Sequence, residues 1–261
     1  MTLKKKVVIL TGASSGLGYS LTKLLATEEC NLALLARRKN ILDDLTASLK
    51  ESSSRIFTYK CDVGNPEEVK SVFAKIKEQF GKVDIVILNA GISGRKDIKN
   101  FSAEAGKEIV NTNLFGIINC VEQVLQDFIS RKDGMIVGVS SLADVRGFPK
   151  SGFYNASKSA ASVLLESMRI ELKPYNVKVI TIRPGFVRTP MTDKNEFFMP
   201  SLMNVDRAAK IILNGIKKEK RIIQFPFLLV ISTKLLQWMP DSLFEWLAGR
   251  PLPPRKDKVN L

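Results

Sequence analysis

Six short apolar runs set the terms on which this chain can fold. Residues 7–10, 32–36, 55–59, 83–88, 135–139 and 177–182 are made mostly of apolar, aromatic and β-branched residues. Stretches of helical period separate them, at 17–27, 41–50, 66–80, 103–130, 152–172 and 206–218. Strands this apolar are buried on both faces, and strands joined through helices run parallel. The pattern predicts an α/β fold, one doubly wound parallel sheet of about seven strands with helices on both faces. Residues 222–225 supply the last, edge strand. Pro66 fits the first turn of its helix, and Asp206 is placed to cap the one it begins.

No linker or composition break interrupts the chain before residue 220, so residues 1–225 read as one domain. Residues 226–249 read as an apolar helical extension, packed on that domain or at an interface. Within it Ser242 and Glu245 form a capping-box pattern and Gly249 is placed to end the helix. Residues 250–261 read as a flexible tail.

Composition removes several kinds of chemistry. There is no histidine, and Cys30, Cys61 and Cys120 are widely spaced with no CxxC pair. A zinc site is therefore not expected, nor any other metal site, and the cysteines read as reduced thiols of a cytoplasmic protein. The apolar run before Thr11 is too short for a signal-peptide core. The formal net charge of +14 fits a nucleic-acid surface, an anionic membrane or anionic ligands such as phosphates. No zinc-finger spacing, basic helix or aromatic-basic sheet signature accompanies it, so no nucleic-acid partner is expected.

The strongest local signal is Thr11-Gly-Ala-Ser-Ser-Gly-Leu-Gly18, between the first strand and the first helix. Glycines there let backbone approach a pyrophosphate, and the helix that follows aims its first N–H groups at the negative charge. Its TGxxxGxG spacing resembles the short-chain dehydrogenase/reductase family, and later motifs agree in order. Asp62 and Val63 follow strand three, where the family's Asp contacts adenine. Asn89-Ala90-Gly91 follows strand four, with Leu88 where the family often has another asparagine. Asn113 lies in NTNLFG, and Ser140-Ser141 end strand five. Pro184-Gly185 end strand six, with Val187 and Thr189 completing PGxxxT. The resemblance covers residues 7 to about 220 and implies a Rossmann-like fold. It implies a nicotinamide dinucleotide held by Gly12, Ser14, Ser15, Gly16, Leu17 and Gly18, and by the residues just named.

The end of strand two bears on which dinucleotide. An acidic residue there would bind the ribose 2′-hydroxyl of NAD, whereas this chain has Ala36 followed by Arg37 and Arg38. Guanidinium groups bind phosphate bidentately, so the sequence favours NADP(H), although two arginines in a solvated loop would look the same.

With no histidine, proton transfer needs another group. Two tyrosines have a lysine four residues on: Tyr19 with Lys23, and Tyr154 with Lys158. Tyr19 belongs to the phosphate-loop helix. Tyr154 opens the helix after strand five, where it converges with Ser141 at the carboxyl ends of the strands, and Lys158 lies one turn along the same face. The lysine is expected to lower the tyrosine pKa. The resemblance implies Tyr154 as general acid/base, with Ser141 holding the carbonyl oxygen. It implies that Lys158 binds the nicotinamide ribose and that Asn113 holds a water reaching Lys158. For Asn113 a helix-to-helix structural role competes, and Ser140 is the alternative serine.

Residues 186–204 match the family's substrate lid. Met191, Phe197, Phe198, Met199, Leu202 and Met203 within it suit an apolar carbonyl or alcohol substrate, and equally suit packing of the lid on the body. Segment 222–247 is apolar and aromatic with basic flanks. It reads as a subunit or lid surface, as core, or as a peripheral contact with a membrane on its cytoplasmic face. The expected assembly is a homodimer or homotetramer. The sequence thus predicts an NADPH-dependent carbonyl reductase or alcohol dehydrogenase. A non-catalytic NADP-sensing protein on the same fold is the competing reading.

Overall fold

A computed structural model describes residues 1–49, 52–95, 97–250, 253 and 255. Its strands are β1 (Val7–Thr11), β2 (Asn31–Ala36), β3 (Arg55–Lys60), β4 (Ile85–Leu88), β5 (Gly134–Val139), β6 (Val177–Pro184) and β7 (Ile222–Phe225). They form one sheet in the order β3-β2-β1-β4-β5-β6-β7, every neighbouring pair parallel. The helices are α1 (Gly16–Leu25), α2 (Lys39–Ala47), α3 (Pro66–Phe80), α4 (Ala103–Val110), α5 (Gly116–Arg131), α6 (Gly152–Glu171), α7 (Val205–Lys217), α8 (Phe227–Trp238) and α9 (Asp241–Ala248).

Successive strand side chains point to opposite faces, and that alternation sorts the core into two layers. Val8, Leu10, Leu32, Leu34, Val137 and Ile180 face one way, into a cluster with Leu21 and Leu25 of α1 and Ile212 and Ile216 of α7. Ile9, Ala33, Leu35, Val86, Ile136 and Val179 face the other, against Phe73 of α3, Cys120 and Phe128 of α5, and Leu165 of α6. All three cysteines are buried and unpaired. Burial pushes the Cys30 thiol up to about 11 and the Cys61 thiol up to about 12.

Three expectations need correction. The helical stretch 103–130 is interrupted by one turn of π-helix, Asn111–Phe115, between α4 and α5. The cap of α7 is Asn204, whose side chain accepts from the N–H groups of Asp206 and Arg207. Asp206 lies in the first turn and accepts instead from the Ser20 hydroxyl on α1, at 2.6 Å. The Ser242/Glu245 capping box does not form, because the helix begins two residues earlier, at Asp241 behind Pro240, with no side-chain cap. Most of the tail, like residue 50 at the end of the second helical stretch, falls outside the described residues. Pro253 and Arg255 are described, and both pair with the lid: Phe198 N–H donates to Pro253 O, and Arg255 N–H to Glu196 O.

Gly249 ends α9 as expected, in ordinary right-handed backbone. Among the described residues, no helix is long and apolar enough to cross a membrane.

The corrected cap gives a direct test. Asn204→Ala removes the acceptor for two helix N–H groups and should cost about 1 kcal/mol. That lowers the melting temperature by roughly 2–4 °C in a chain of this size. An unchanged melting curve would place the cap elsewhere.

Candidate active site

The sheet order reverses between β1 and β4, so the loops after these two strands leave in opposite directions and open a crevice. It is tied shut at its base. Thr11 Oγ1 accepts from the N–H groups of Asn89 and Ala90, each at 3.0 Å. Asn89 Nδ2 donates back to Thr11 O and Gly12 O, at 3.1 and 3.2 Å. Leu88, where the family often has asparagine, is buried in the apolar layer instead.

Above this base lies a cleft of about 1000 Å³. Of the predicted site residues, Gly12, Ser14, Ser15, Gly16, Leu17, Arg37, Arg38, Asp62, Val63, Asn89, Ala90, Gly91, Ser141, Tyr154, Lys158, Pro184, Gly185, Val187 and Thr189 all line it. Gly18 and Asn113 stand behind its walls. The loop after β1 is shaped to leave its backbone bare. Gly12 and Gly16 have φ of +66° and +54°, where a side chain is strained. A Cβ at Gly12 would lie 2.7 Å from Ala90 Cα, and one at Gly16 would meet Thr189 at 3.2 Å. Gly18 lets α1 approach the loop, since a Cβ there would sit 2.3 Å from Gly12 O.

At the far end of the cleft, Arg38 reaches over the loop and donates to Ser14 Oγ at 3.2 Å. Arg37 lies 4.0 Å from the Asp62 carboxylate. A bare glycine cradle, a helix N-terminus and two guanidinium groups together fit the phosphates of a nicotinamide dinucleotide.

The other end carries the titratable groups. Ser140 and Ser141 point opposite ways as strand geometry requires. Ser140 Oγ turns out of the cleft and donates to Lys158 O at 2.9 Å, while Ser141 Oγ faces in, within hydrogen-bonding reach of the Tyr154 phenol. Lys158 is 4% exposed, and its ammonium donates to Val139 O at 2.8 Å. Burial lowers its pKa to about 8, partly opposed by the carboxylate of Asp144. Tyr154 departs from expectation. Burial pushes its phenol up from the ordinary value, the Ser141 hydroxyl pulls it down, and Asp144 pushes it up again. The protein's own groups therefore keep Tyr154 protonated at neutral pH.

Asn113 sits in the π turn with all of its amide engaged. Oδ1 accepts from Ile92 N–H at 2.8 Å, and Nδ2 donates to Ile92 O and to Ser157 Oγ, at 2.9 and 3.0 Å. It clamps the loop after β4 to α6, one residue from Lys158. Gly91 lets the two approach: a Cβ there would lie 3.2 Å from Asn113 Oδ1 and 3.3 Å from Lys158 Nζ.

Sequence reasoning missed Asp144. Its side chain is 1% exposed and is held by the Arg183 guanidinium and the Ser162 hydroxyl, with Ser140 Oγ at 3.3 Å. An acidic residue three positions past Ser141 was visible, but its inward turn depends on Arg183, which arrives on β6. Left open by the sequence was α8, whose Leu228, Leu229, Ser232, Thr233 and Leu236 close one side of the cleft. The lid divides its work. Met191, Phe197 and Phe198 line the cleft, while Met199 and Met203 are buried. Arg95 stacks on Phe197, 4.3 Å from the ring centroid.

Residues 6–197 match the short chain dehydrogenase family. The farnesol dehydrogenase of Aedes aegypti is 38% identical over 191 residues, covering 70% of this chain and 78% of that one. A short chain dehydrogenase/reductase from Burkholderia phymatum in complex with NAD shares the fold, with a TM-score of 0.83 and 20% identity over 97% of this chain and 98% of that one. An alcohol dehydrogenase from the archaeon Thermococcus sibiricus complexed with 5-hydroxy-NADP gives 0.76 at 28% identity, over 85% and 95%.

The buried charges give a prediction that needs no turnover. With ε-¹³C-labelled lysine, Lys158 should titrate near 8, against about 10.4 for an ordinary lysine. Asp144→Asn removes a charge that favours the ammonium, so the midpoint should move lower. A midpoint that stays or rises would contradict this account.

Proposed function

The chain belongs to the short-chain dehydrogenase/reductase family and is an NAD(P)-dependent oxidoreductase; we propose that it is an NADPH-dependent reductase of apolar ketones or aldehydes, or the reverse dehydrogenase. The observation that carries the reading is the convergence of Tyr154, Ser141 and Lys158 at one end of a cleft whose other end is a glycine cradle.

When bound, the dinucleotide supplies or accepts the hydride. Everything else falls to the protein. Ser141 donates its hydroxyl proton in a hydrogen bond to the substrate carbonyl oxygen. Tyr154, protonated at neutral pH, delivers its phenol proton to the same oxygen as charge builds there. Lys158 keeps a positive charge beside the resulting tyrosinate and binds the ribose hydroxyls. Asn113 and Asp144 act through Lys158: the first fixes the loop and helix around it, the second holds its proton.

Three features support NADP over NAD. Ala36 puts no carboxylate beside the ribose, and Arg37 and Arg38 follow it. Arg38 is already drawn toward Ser14, which places a second hydroxyl donor next to a guanidinium. For the substrate, Phe148, Phe186, Phe197, Leu229 and Leu236 make the walls beyond Tyr154 apolar, and the Aedes relative is a farnesol dehydrogenase. Self-association belongs to the same proposal, with Phe115 of the π turn, Ile118 of α5, and Val163 and Ile170 of α6 exposed to carry it.

Arg38→Ala should raise the Michaelis constant for NADPH roughly ten- to a hundredfold, the worth of a charge-assisted hydrogen bond of about 1.5–3 kcal/mol. The constant for NADH should barely move, and equal effects on both would refute the NADP assignment. Tyr154→Phe should cut kcat by roughly 10²–10⁴ while cofactor binding survives. In the reductive direction, kcat/KM should hold at neutral pH and fall above about 8, as Lys158 loses its proton.

A further inference from the structure

Helix α8 has two apolar sides. Leu229 and Leu236 face the cleft, and Val230 and Thr233 are buried. The opposite side presents Phe227, Ile231, Leu235 and Trp238 to solvent, spaced as one helical face. Helix α9 continues it. Phe244 is anchored inward on Phe148 and Arg146, leaving Leu243, Trp246 and Leu247 outside. The exposures are large for such residues: 87% for Trp238 and 57% for Trp246. Exposed apolar and aromatic side chains gathered on two successive helices of a globular protein mark an interaction surface.

We propose that the outer face of α8 and α9 seats the protein on an anionic phospholipid bilayer. At 12 residues α8 is about 18 Å long, short of the ~30 Å hydrocarbon core, so it lies in the interface plane. The polar groups among the apolar ones suit that depth. Lys234 sits between Ile231 and Leu235 and makes no ion pair among the described residues. The Arg250 guanidinium stacks 3.6 Å from the Trp246 ring centroid, a cation at the level of an interfacial aromatic. Of the two carboxylates on α9, Asp241 is paired with Arg146, which leaves Glu245. The chain as a whole carries +14 toward an anionic surface. The basic run 217–221 belongs to that general charge and not to the patch, because β7 separates it from α8.

A second copy of the chain fits the same face less well. It would bring a second chain of the same +14 charge, and a second Lys234, against this face, whereas an anionic bilayer meets both with opposite charge and would also deliver dissolved apolar carbonyls to the protein. That delivery role rests on the proposed substrate class; docking itself does not.

Both tryptophans of the chain lie in the patch, so the full-length protein reports on itself. Mixed with phosphatidylcholine vesicles containing phosphatidylserine, it should co-sediment and shift its tryptophan emission to the blue. Brominated lipid should quench that emission, and salt or pure phosphatidylcholine should weaken binding. A Phe227→Glu, Leu235→Glu variant should bind at least tenfold more weakly while reducing a short water-soluble aldehyde as before. Quenching in the unaltered protein decides the matter should that variant misfold. Absent binding to both vesicle types would overturn the proposal. So would a lipid-free blue shift with doubled mass by light scattering, lost in the variant, which would make the face a subunit contact. Vesicle binding without turnover would leave docking standing and refute the reaction alone.

Discussion

Every strand in this sheet points the same way, and the site exists because of it. Parallel pairing forces each connection to return through a helix, so all seven carboxyl ends, and the loops that follow them, collect along one edge. The reversal of order between β1 and β4 then parts two of those loops. The bonds joining Thr11 and Gly12 to Asn89 hold the parting at a fixed width. The glycine cradle, the clamp at Asn113 and the serine ending β5 are all placed relative to that seam.

Charge in the interior is arranged in a chain of dependence. Lys158 is almost fully buried, and an isolated ammonium there would give up its proton readily. Asp144 offsets that tendency, and Arg183 in turn makes a buried Asp144 tolerable. Ser140 and Ser162 fill its remaining acceptor positions. A chain without histidine thus holds a proton near neutral pH by layering groups whose ordinary pKa values lie far from it.

Much of this was legible beforehand, for identifiable reasons. Spacing to Tyr154 favoured Ser141 over Ser140, and strand alternation required the two side chains to point opposite ways. Placement of YNASK after β5 separated Tyr154 from Tyr19, whose lysine merely stacks on its ring at 4.9 Å. What failed depended on distant partners. Asp206 looked like a cap and is instead drawn to Ser20, 186 residues away. Asp144 needed Arg183. The Tyr154 phenol shifts upward, not downward, because burial together with the Asp144 carboxylate outweighs the Ser141 hydroxyl. For segment 222–247 lid, subunit, core and membrane readings stayed open, since sequence cannot say that α8 will line the cleft on one side and face solvent on the other.

The π turn at Asn111–Phe115 has a consequence for phase. An α-helix advances about 100° per residue, and a π turn inserts one residue without changing the helix axis. A single helical wheel drawn through 103–131 therefore misassigns one of its halves. Deleting one residue from the turn would restore regular winding and rotate all of α4 against α6. Gly106, which now fits flush on the Phe153 ring where a Cβ would lie at 2.8 Å, would swing out of register. Tyr154 is the next residue along from that ring. The length of this segment is thereby coupled to the placement of Tyr154.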